Sequence, residues 1–384
     1  MKIVICPDSF KGSISSVGAA EAIARGAARA GLPSGVETLC VPLADGGEGT
    51  VDALVTATGG SIHKVRVHDP LMREIDSFFG ILGDGSTAVV EMAAASGLCL
   101  LASDERNPLI TSTYGTGELL LAAIEAGAKK IIIGIGGSAT NDGGTGAMTA
   151  LGVRFLDDNR MPLPPGGAAL ARLAHIDMSH LRFLISDVKL EIASDVSNPL
   201  LGTHGASAVY GPQKGATPEM VAALDAALEN YATILKREIG TDVAEMPGAG
   251  AAGGLGAGLI AFLGAELKPG IDMILDAVRF DDVLVGADLV ITGEGRIDEQ
   301  TAYGKTIRGV LDRAVKQGVP IVAVAGSVSD DIGPLLDLGL TAAFSIAPGA
   351  VSIEYAMEHA GELIERVTMH IVRLAGVGSV SWGG

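Results

Sequence analysis

KIVICPDS, residues 2–9, is a short run of β-branched and apolar residues that ends in Pro-Asp-Ser. After Lys11 and Gly12, alanine and isoleucine recur at helical spacing from Ser15 to Ala30, which predicts a strand followed by a helix. The segments VETLCVPLA (36–44) and GGEGTVDALVTATGG (46–60) repeat this order, with a glycine turn opening the second helix. The N-terminal segment therefore predicts a βαβα unit.

The C-terminal third alternates in the same way. Its predicted strands and helices are DLVITGEG (288–295), GKTIRGVLDRAVKQG (304–318), VPIVAVAGS (319–327), IGPLLDLGL (332–340), AAFSIAPG (342–349) and a helix from Ile353 to Leu374. Continuous apolar strands of this kind are typical of parallel sheets that are buried on both faces. We therefore predict one discontinuous α/β domain, residues 1–62 and 265–375, followed by a disordered tail, residues 376–384.

The middle of the chain has a different pattern from about Ile62. KVRVHDP (64–70), EIDSFFGIL (74–82) and STAVVEMAAA (86–95) are strand-like and are joined by Asp-Pro and Asp-Gly turns, which predicts hairpins. A helix (115–128), a strand (129–136), a glycine-rich loop and the strands LRFLISDV (181–188) and KLEIASDV (189–196) follow. Because 384 residues exceed the usual size of one core, we predict a second, inserted α/β domain, residues 63–264.

Composition and charge exclude several classes of protein. A hydrophobic content of 48% with 19% charged residues excludes intrinsic disorder for most of the chain. A net charge of −18 disfavours a nucleic-acid partner. Residues 247–265 are uncharged, but seven of them are glycines, which favours a glycine-rich loop leading into a buried helix over a membrane span. Three widely spaced cysteines and the absence of a signal-peptide core predict a cytoplasmic location.

Common nucleotide and hydrolase signatures are not met. Gly304-Lys305-Thr306 resembles the end of a P-loop, but Glu299 occupies the position of its first glycine. The pattern at Gly248, Gly250 and Gly253 lacks the preceding strand of a dinucleotide site. The chain has no Gly-x-Ser-x-Gly elbow, and its seven histidines lack the spacing of zinc ligands.

Polar residues follow most of the predicted strands, where ligands bind in open parallel sheets. This strand-end set comprises Asp8, Ser9, Lys11, Asp45, Glu48, Ser138, Thr140, Asn141, Asp142, Asp195, Asn198, Glu294, Arg296, Asp298 and Ser327. Two glycine clusters, PLADGGEGT (42–50) and GIGGSATNDGGTG (134–146), place acidic and hydroxyl residues between a strand and a helix. Such a context favours phosphate groups and a hydrated Mg²⁺. The alternative for each Asp-Gly pair is ordinary turn chemistry.

These segments together resemble the type I glycerate kinase family across nearly the whole chain. The resemblance rests on PDSFK (7–11), ADGGEGT (44–50), EMAAASGL (91–98), GTGEL (115–119), GIGGSATNDGG (134–144), Asp195-Val196, Asn198-Pro199-Leu200, YGPQKGA (210–216), PGAGAAGGLGA (247–257) and ITGEGRID (291–298). Two positions depart from the family pattern. Ser194 stands where cysteine is expected and Tyr303 where histidine is expected, and neither change removes a carboxylate.

The resemblance implies ATP-dependent and Mg²⁺-dependent phosphorylation of D-glycerate to 2-phosphoglycerate. It also implies that the discontinuous domain is flavodoxin-like, with a doubly wound parallel sheet, and that the site is a cleft between the two domains. We expect Asp8 and Glu294 on one wall of that cleft, with Asp195 and the segment Gly136–Asp142 on the other. A small-molecule substrate is expected, with no membrane partner, and a homodimer is left open.

Phosphoryl transfer requires phosphate binding, charge neutralisation and a base, and we assign candidates from this chemistry. The backbone amides of Gly136 to Gly144, including Gly137, would hold phosphates together with the hydroxyls of Ser138 and Thr140. Mg²⁺ would be carried by Asp45, Asp195 and Glu294, and Lys11, Lys214 and Arg296 supply positive charge. Asp195 is the predicted base and Asp45 its alternate. The other residues predicted to bind substrate or nucleotide are Asp8, Ser9, Glu48, Asn141, Asp142, Asn198, Gly293 and Asp298.

Two other functions remain open from the sequence. A kinase of another small hydroxy acid would need the same site chemistry. A non-catalytic sensor of sugar acids or nucleotides would keep the glycine-rich pocket but would need neither base nor metal, and the carboxylates at several strand ends argue against it.

Overall fold

A computed structural model describes residues 1–44, 46–181, 188–302 and 306–377. Four predictions lie partly or wholly outside these residues: the candidate Asp45, the strand at 181–188, the departure at Tyr303 and most of the tail. The chain divides into a first unit, Met1–Asp45, Asp52–Gly59 and Ile271–Gly384, and a second unit, Gly46–Val51 and Gly60–Gly270. The predicted domain assignment, with boundaries near residues 62 and 264, stays a proposal.

The strands and helices alternate along most of the chain. The strands are β1 (Lys2–Ile5), β2 (Glu37–Cys40), β3 (Ser61–His68), β4 (Glu74–Ile81), β5 (Thr87–Glu91), β6 (Lys130–Gly134), β7 (Arg154–Leu156), β8 (His175–Asp177), β9 (Lys189–Ala193), β10 (Glu266–Lys268), β11 (Leu289–Ile297), β12 (Ile321–Val328) and β13 (Ala342–Ser345). The helices are α1 (Ser16–Arg29), α2 (Thr50–Thr58), α3 (Ala93–Ser96), α4 (Tyr114–Glu125), α5 (Thr145–Ala150), α6 (Ala206–Tyr210), α7 (Pro218–Glu238), α8 (Ala251–Leu263), α9 (Gly270–Ala277), α10 (Phe280–Leu284), α11 (Thr306–Lys316), α12 (Gly333–Asp337), α13 (Ile353–Glu358) and α14 (Ala360–Gly376).

The first unit contains a five-stranded sheet in the order β2-β1-β11-β12-β13. Every pair in it is parallel, and Ile3 to Ile5 of β1 lie opposite Leu289 to Ile291 of β11. This order is that of doubly wound flavodoxin-like sheets, in which the strand order reverses beside the first strand. The prediction of an α/β fold with parallel sheets is confirmed. The N-terminal strand β1 and the strand β11 of the C-terminal third are thus neighbours in this sheet.

The second unit contains a six-stranded mixed sheet in the order β10-β9-β6-β5-β4-β3. β3 and β4 form an antiparallel hairpin, as expected, while β5, β6, β9 and β10 are parallel. β5 is buried along its whole length, which explains its continuous run of apolar residues. A separate pair, β7 and β8, is antiparallel.

One helical prediction needs correction, and one helix was not predicted. The helix predicted from Ile353 to Leu374 is two helices, α13 and α14, because His359 leaves the helical conformation between them. The long helix α7 was not predicted, although Thr217 caps its first turn and Pro218 occupies its first position.

The uncharged segment near residue 250 forms α8, whose first turn is left-handed at Ala252, Gly253 and Gly254. Most of this helix is buried, in agreement with the predicted glycine-rich entry to a buried helix. Within the described residues, no helix has the length and apolar character that crossing a membrane requires.

Candidate functional site

The first unit places two predicted carboxylates at the ends of neighbouring strands. Asp8 follows β1, and its backbone amide donates to the Gly293 carbonyl of β11 at 2.8 Å, one residue before Glu294. The Thr306 hydroxyl, at the start of α11, donates to Asp8 Oδ2 at 2.8 Å. The Ser9 amide donates to Asp8 Oδ1 at 2.6 Å. The Asp8 carboxylate is therefore held by the start of α11 and by its own loop, while the Asp8 backbone is fixed to β11.

Glu294, Arg296 and Asp298 alternate along β11 and the residue after it, so their side chains share one face of the strand. The Thr301 hydroxyl donates to Glu294 Oε1 at 3.0 Å and accepts from the Asp298 amide at 3.1 Å. Arg296 Nε lies 3.1 Å from Asp298 Oδ2, and its side chain is 73% exposed. Thr301, which the sequence analysis did not select, thus joins two predicted site residues.

Within this carboxylate cluster, Glu294 has a strongly raised pKa. The pKa of Glu294 is raised to about 7, mainly by burial. The negative charges of Asp8 and Asp298 add to this rise, while the hydrogen bond from Thr301 and the positive charge of Lys11 oppose it. A carboxyl with a pKa near neutrality can accept a proton at physiological pH. It also favours a nearby cation, since positive charge would relieve the repulsion among the three carboxylates.

The remaining first-unit candidates differ in accessibility. Lys11 is exposed, and the backbone at Phe10 and Lys11 passes over Gly295 of β11. Ser327 is exposed on β12, opposite Arg296 in the sheet register. Gly293 is buried where a Cβ would overlap the Val324 carbonyl of β12, so the missing side chain serves close strand packing.

In the second unit, the two glycine clusters of the sequence contact each other. A Cβ on Gly134, the last residue of β6, would overlap the Gly46 carbonyl, and one on Gly136 would lie 3.2 Å from Gly47 Cα. The carboxylate of Glu91 accepts from the Val51 amide at 2.6 Å and the Gly49 amide at 3.2 Å. Glu91 lies at the end of β5 and was not among the predicted site residues, although it begins the motif EMAAASGL.

The glycine-rich loop, residues 135–144, is anchored from inside by Asp142. This carboxylate is fully buried and accepts from the Thr113 amide at 2.8 Å and from the Gly144 and Gly146 amides at 3.1 and 3.2 Å. The Gly143 amide donates to the Gly253 carbonyl at 3.0 Å. Burial raises the pKa of Asp142, while these hydrogen bonds lower it.

Two amides of the predicted phosphate-binding segment have partners inside the protein. The amide of Gly143 donates to the Gly253 carbonyl and that of Gly144 to Asp142, and α5 is six residues long. The exposed part of the loop is its tip, Gly136 and Gly137, with Ser138 7% exposed beside it. The Gly137 carbonyl accepts from the Leu98 amide at 2.9 Å, which fixes the tip to the segment after α3.

Three further candidates of the second unit are fully or almost fully buried. Thr140 and Asn141 have no exposed surface, and Lys214 is 1% exposed. Lys214 Nζ donates to the Thr140 carbonyl at 2.6 Å, and Asn141 Nδ2 donates to Ser207 Oγ at 3.0 Å. These side chains support the loop from within the unit.

Asp195 and Asn198 follow β9. Asp195 Oδ1 accepts from the Gly270 amide at 3.0 Å. Both ends of the Asn198 amide make internal bonds, because Nδ2 donates to the His204 carbonyl at 2.8 Å and Oδ1 accepts from the Tyr210 hydroxyl at 2.7 Å. Asn198 therefore tethers its own loop, while Asp195 lies at a partly exposed strand end.

Burial raises the pKa of the Cys99 thiol, and the negative charges of Glu48 and Glu91 raise it further, so Glu48 lies near Cys99. Asp45, predicted both as metal ligand and as alternate base, lies outside the described residues. Among the residues that the structure describes, no group of three or more His, Cys, Asp or Glu side chains is arranged to hold a metal ion. Mg²⁺ needs no such cage, because it usually keeps several waters and shares one or two carboxylates with phosphate oxygens.

Comparison with known proteins identifies the family of this chain. Residues 3–376 match the model of the glycerate kinase family. A glycerate kinase of Bacillus subtilis (strain 168) is 53% identical over 371 residues, which are 97% of each chain. The glycerate 2-kinase of Escherichia coli (strain K12) is 46% identical over 98% of this chain and 99% of its own.

A solved structure agrees as well. The crystal structure of a protein of Salmonella typhimurium LT2, assigned as glycerate kinase 2, superposes with a TM-score of 0.90 at 46% identity and covers 99% of both chains. The resemblance found in the sequence motifs is thereby confirmed at full length. The chain belongs to the glycerate kinase family.

Proposed function

We propose that this chain is an ATP-dependent kinase that phosphorylates D-glycerate on its C2 hydroxyl to give 2-phosphoglycerate. The observation that carries the proposal is the match to the glycerate kinase family from residue 3 to residue 376. The name of the Escherichia coli relative supports the choice of C2.

The carboxylate cluster of the first unit fits the needs of phosphoryl transfer. Glu294 has a pKa of about 7 and lies near Asp8 and Asp298, so a bound cation would stabilise its ionised form. We propose it as a ligand of Mg²⁺, whose hard oxygen chemistry suits this donor set and which, when bound, would neutralise charge on phosphate oxygens. Lys11 and the exposed Arg296 supply further positive charge for a carboxylate or phosphate.

The base is proposed to be Asp195, with Asp45 as the alternate. Glu294 is a further candidate, because its pKa allows it to accept the proton of the substrate hydroxyl at neutral pH. In the second unit, the exposed tip at Gly136 and Gly137, with the hydroxyl of Ser138, is proposed to receive phosphate oxygens. Glu48 is proposed to contact the same phosphate-containing ligand.

An ATP-consumption assay over several acids tests the function. Purified protein should consume ATP with D-glycerate and Mg²⁺ together, and should not with either one omitted. Tartronate and other small hydroxy acids should react with a kcat/KM at least about tenfold lower. Turnover of another acid but not of D-glycerate would overturn the substrate, and binding of glycerate without turnover would favour a sensor.

Substitutions separate the roles proposed for the two carboxylates. Asp195→Asn and Glu294→Gln should each lower kcat by about 10²-fold, as expected on losing a base or a metal ligand. Raised Mg²⁺ should relieve the defect of a metal ligand and not that of a base. Circular dichroism should show both variants folded, and activity within a few-fold of the parent would remove that residue from the mechanism.

A further inference from the structure

Lys214 is unusual because its charged end lies inside the second unit. Lys214 is 1% exposed, and it is the last residue of a short 3-10 turn, Pro212–Lys214. Nζ donates to the Thr140 carbonyl at 2.6 Å. Asp142 attracts the ammonium only through space, and Gly215 packs on the carbonyl of Arg106 on the other side.

Burial of this amine is costly to the folded protein. It lowers the pKa of Lys214 to about 7, against the opposing attraction of Asp142. Replacing a buried charge by an apolar group of similar volume is often neutral or stabilising. The free energy of folding therefore gives no reason for a lysine here, and its use must be sought in what it contacts.

Lys214 contacts the glycine-rich loop at Thr140, which lies between the exposed tip of the loop and Asp142, the residue that anchors it. Two side-chain oxygens there add nothing to the anchoring: Thr140 Oγ1 and Asn141 Oδ1, both fully buried, have no hydrogen-bond partner among the described residues. Among these residues, the side chain of Asn141 is bonded only through Nδ2, to Ser207 Oγ. On the opposite side, Gly253 has no Cβ because the Thr140 carbonyl occupies that space. The Thr140 carbonyl is thus held between the ammonium of Lys214 and the left-handed turn of α8.

We propose that Lys214 is a positioning residue: it fixes the Thr140 carbonyl and so sets the tip of the glycine-rich loop for the phosphates of the nucleotide, without touching substrate itself. This rests on the proposed kinase function in one respect, the identity of the ligand at the tip. The order that Lys214 imposes on the loop does not depend on that function.

The variants Lys214→Met and Lys214→Gln test the proposal. Methionine fills a similar volume without a donor, whereas glutamine is neutral but can still donate to the Thr140 carbonyl. The matched control is Lys236→Met, on the exposed face of α7, where the side chain is 66% exposed. Hydrogen exchange of peptides spanning residues 135–144, in protein without ligands, is measured first.

The amide hydrogens of residues 135–144 should exchange about tenfold faster in Lys214→Met than in the parent. In Lys214→Gln most of the parent's protection against exchange should return. With ATP and D-glycerate, Lys214→Met should raise KM for ATP about tenfold while kcat and KM for glycerate change less than about threefold. The melting temperature of Lys214→Met should equal or exceed that of the parent. Lys236→Met should match the parent in exchange and kinetics.

Three results would each overturn the proposal. Unchanged loop exchange and unchanged KM for ATP would show that Lys214 does not hold the loop. A lower melting temperature with a uniform loss of active enzyme would make its role structural. A rise in KM for glycerate alone would make it a substrate ligand. If Lys214→Met does not fold, Lys214→Gln and the parent are compared on the same criteria. Equal loop exchange with unequal KM for ATP then counts against the proposal.

Absence of glycerate turnover in the parent protein would overturn the kinase function, and the result of the exchange experiment would still stand.

Discussion

Glu91 Oε1 accepts the backbone amide of Val51 at 2.6 Å, which ties the first turn of α2 to the end of β5. The second carboxylate oxygen accepts the Gly49 amide at 3.2 Å. Glu91 is 4% exposed, so this buried carboxylate stabilises the buried amide of Val51 and the partly buried amide of Gly49. The loop that carries Glu48 is therefore set by a residue of another strand.

Removing this carboxylate should disorder the loop at Glu48. Glu91→Ala is expected to lower the free energy of unfolding by about 2 kcal/mol, because it leaves buried amides unpaired. It should also lower kcat/KM by about tenfold or more, since the loop loses its position. Urea unfolding and steady-state kinetics give both values.

Glu91→Gln is the matched variant, since its amide oxygen can still accept the Val51 amide. It should recover about half of the lost stability. Glu74→Gln, at a side chain that is 67% exposed, is the surface control. Equal behaviour of the alanine and surface variants would show that Glu91 does not support the loop.

Glu294 should give the pH–rate profile an acidic limb. Because its pKa is about 7, activity that needs the ionised carboxylate should rise with pH through that value. Glu294→Gln should remove this limb along with most of the activity. If Glu294 binds Mg²⁺, higher Mg²⁺ should move the limb of the parent to lower pH, whereas an unmoved limb indicates a base.

The same carboxyl links stability to pH. Its pKa is raised from 4.5, so the folded protein binds this proton more tightly than the unfolded chain does. The contribution of Glu294 to the free energy of unfolding should therefore fall as pH rises from about 4.5 to about 7. A parent and a Glu294→Gln variant with the same pH dependence of urea unfolding across this range would refute the raised pKa.

The contribution of Glu191 to the free energy of unfolding should change with pH in the opposite direction to that of Glu294. Burial raises its pKa, but hydrogen bonds from Lys130, Lys268 and Lys189 outweigh burial and hold it at about 2. Lys130 Nζ and Lys268 Nζ lie 2.7 and 2.6 Å from its oxygens. The stabilisation is present above pH 4.5 and is lost as pH falls towards 2.

Glu191→Gln should accordingly cost about 2 kcal/mol of unfolding free energy at pH 7, as expected for a carboxylate buried among partly exposed lysines. The difference from the parent should shrink steadily when urea unfolding is repeated from pH 5 to pH 3. A difference that is constant over this range would mean that the variant loses packing and not charge pairing.

Much of the fold could be predicted from the sequence because each element has a local signal. The runs KIVI and LVIT are buried and parallel, and periodic alanine and isoleucine predicted α1. The joining of the two chain ends was inferred from matching patterns, not from any local signal. The break at His359 was missed because the apolar periodicity of α13 and α14 continues across it.

The site was predictable in residue type more than in role. The sequence analysis selected Glu294, Arg296 and Asp298 only as polar residues that follow a predicted strand. Their common face became visible in the structure, where they alternate along β11 and the residue after it. Burial was not predictable, since no local pattern distinguishes the buried Lys214 and Asp142 from surface residues in the same glycine-rich context. Partners distant in sequence, such as Glu91 for Val51, require the tertiary fold.

Gly253 is predicted to be intolerant of a side chain. Its φ is +69°, and a Cβ would overlap the Thr140 carbonyl. Gly253→Ala should therefore displace the glycine-rich loop, lower the free energy of unfolding by about 2 kcal/mol and raise KM for ATP. Gly264→Ala is a control, because φ is +61° there but no atom lies within 4 Å of the added Cβ. Equal effects of the two variants would limit the cost to backbone strain and exclude the contact with the loop.

Phosphorus NMR of the product formed from D-glycerate, ATP and Mg²⁺ tests the proposed function most directly. A phosphate ester on C2 couples to the single proton of that carbon and should give a doublet, in step with the ADP formed. An ester on C3 would couple to two protons and give a triplet, which would contradict the site of transfer. ADP release with no new ester, or no ADP release at all under conditions where the protein is folded, would contradict the kinase function itself.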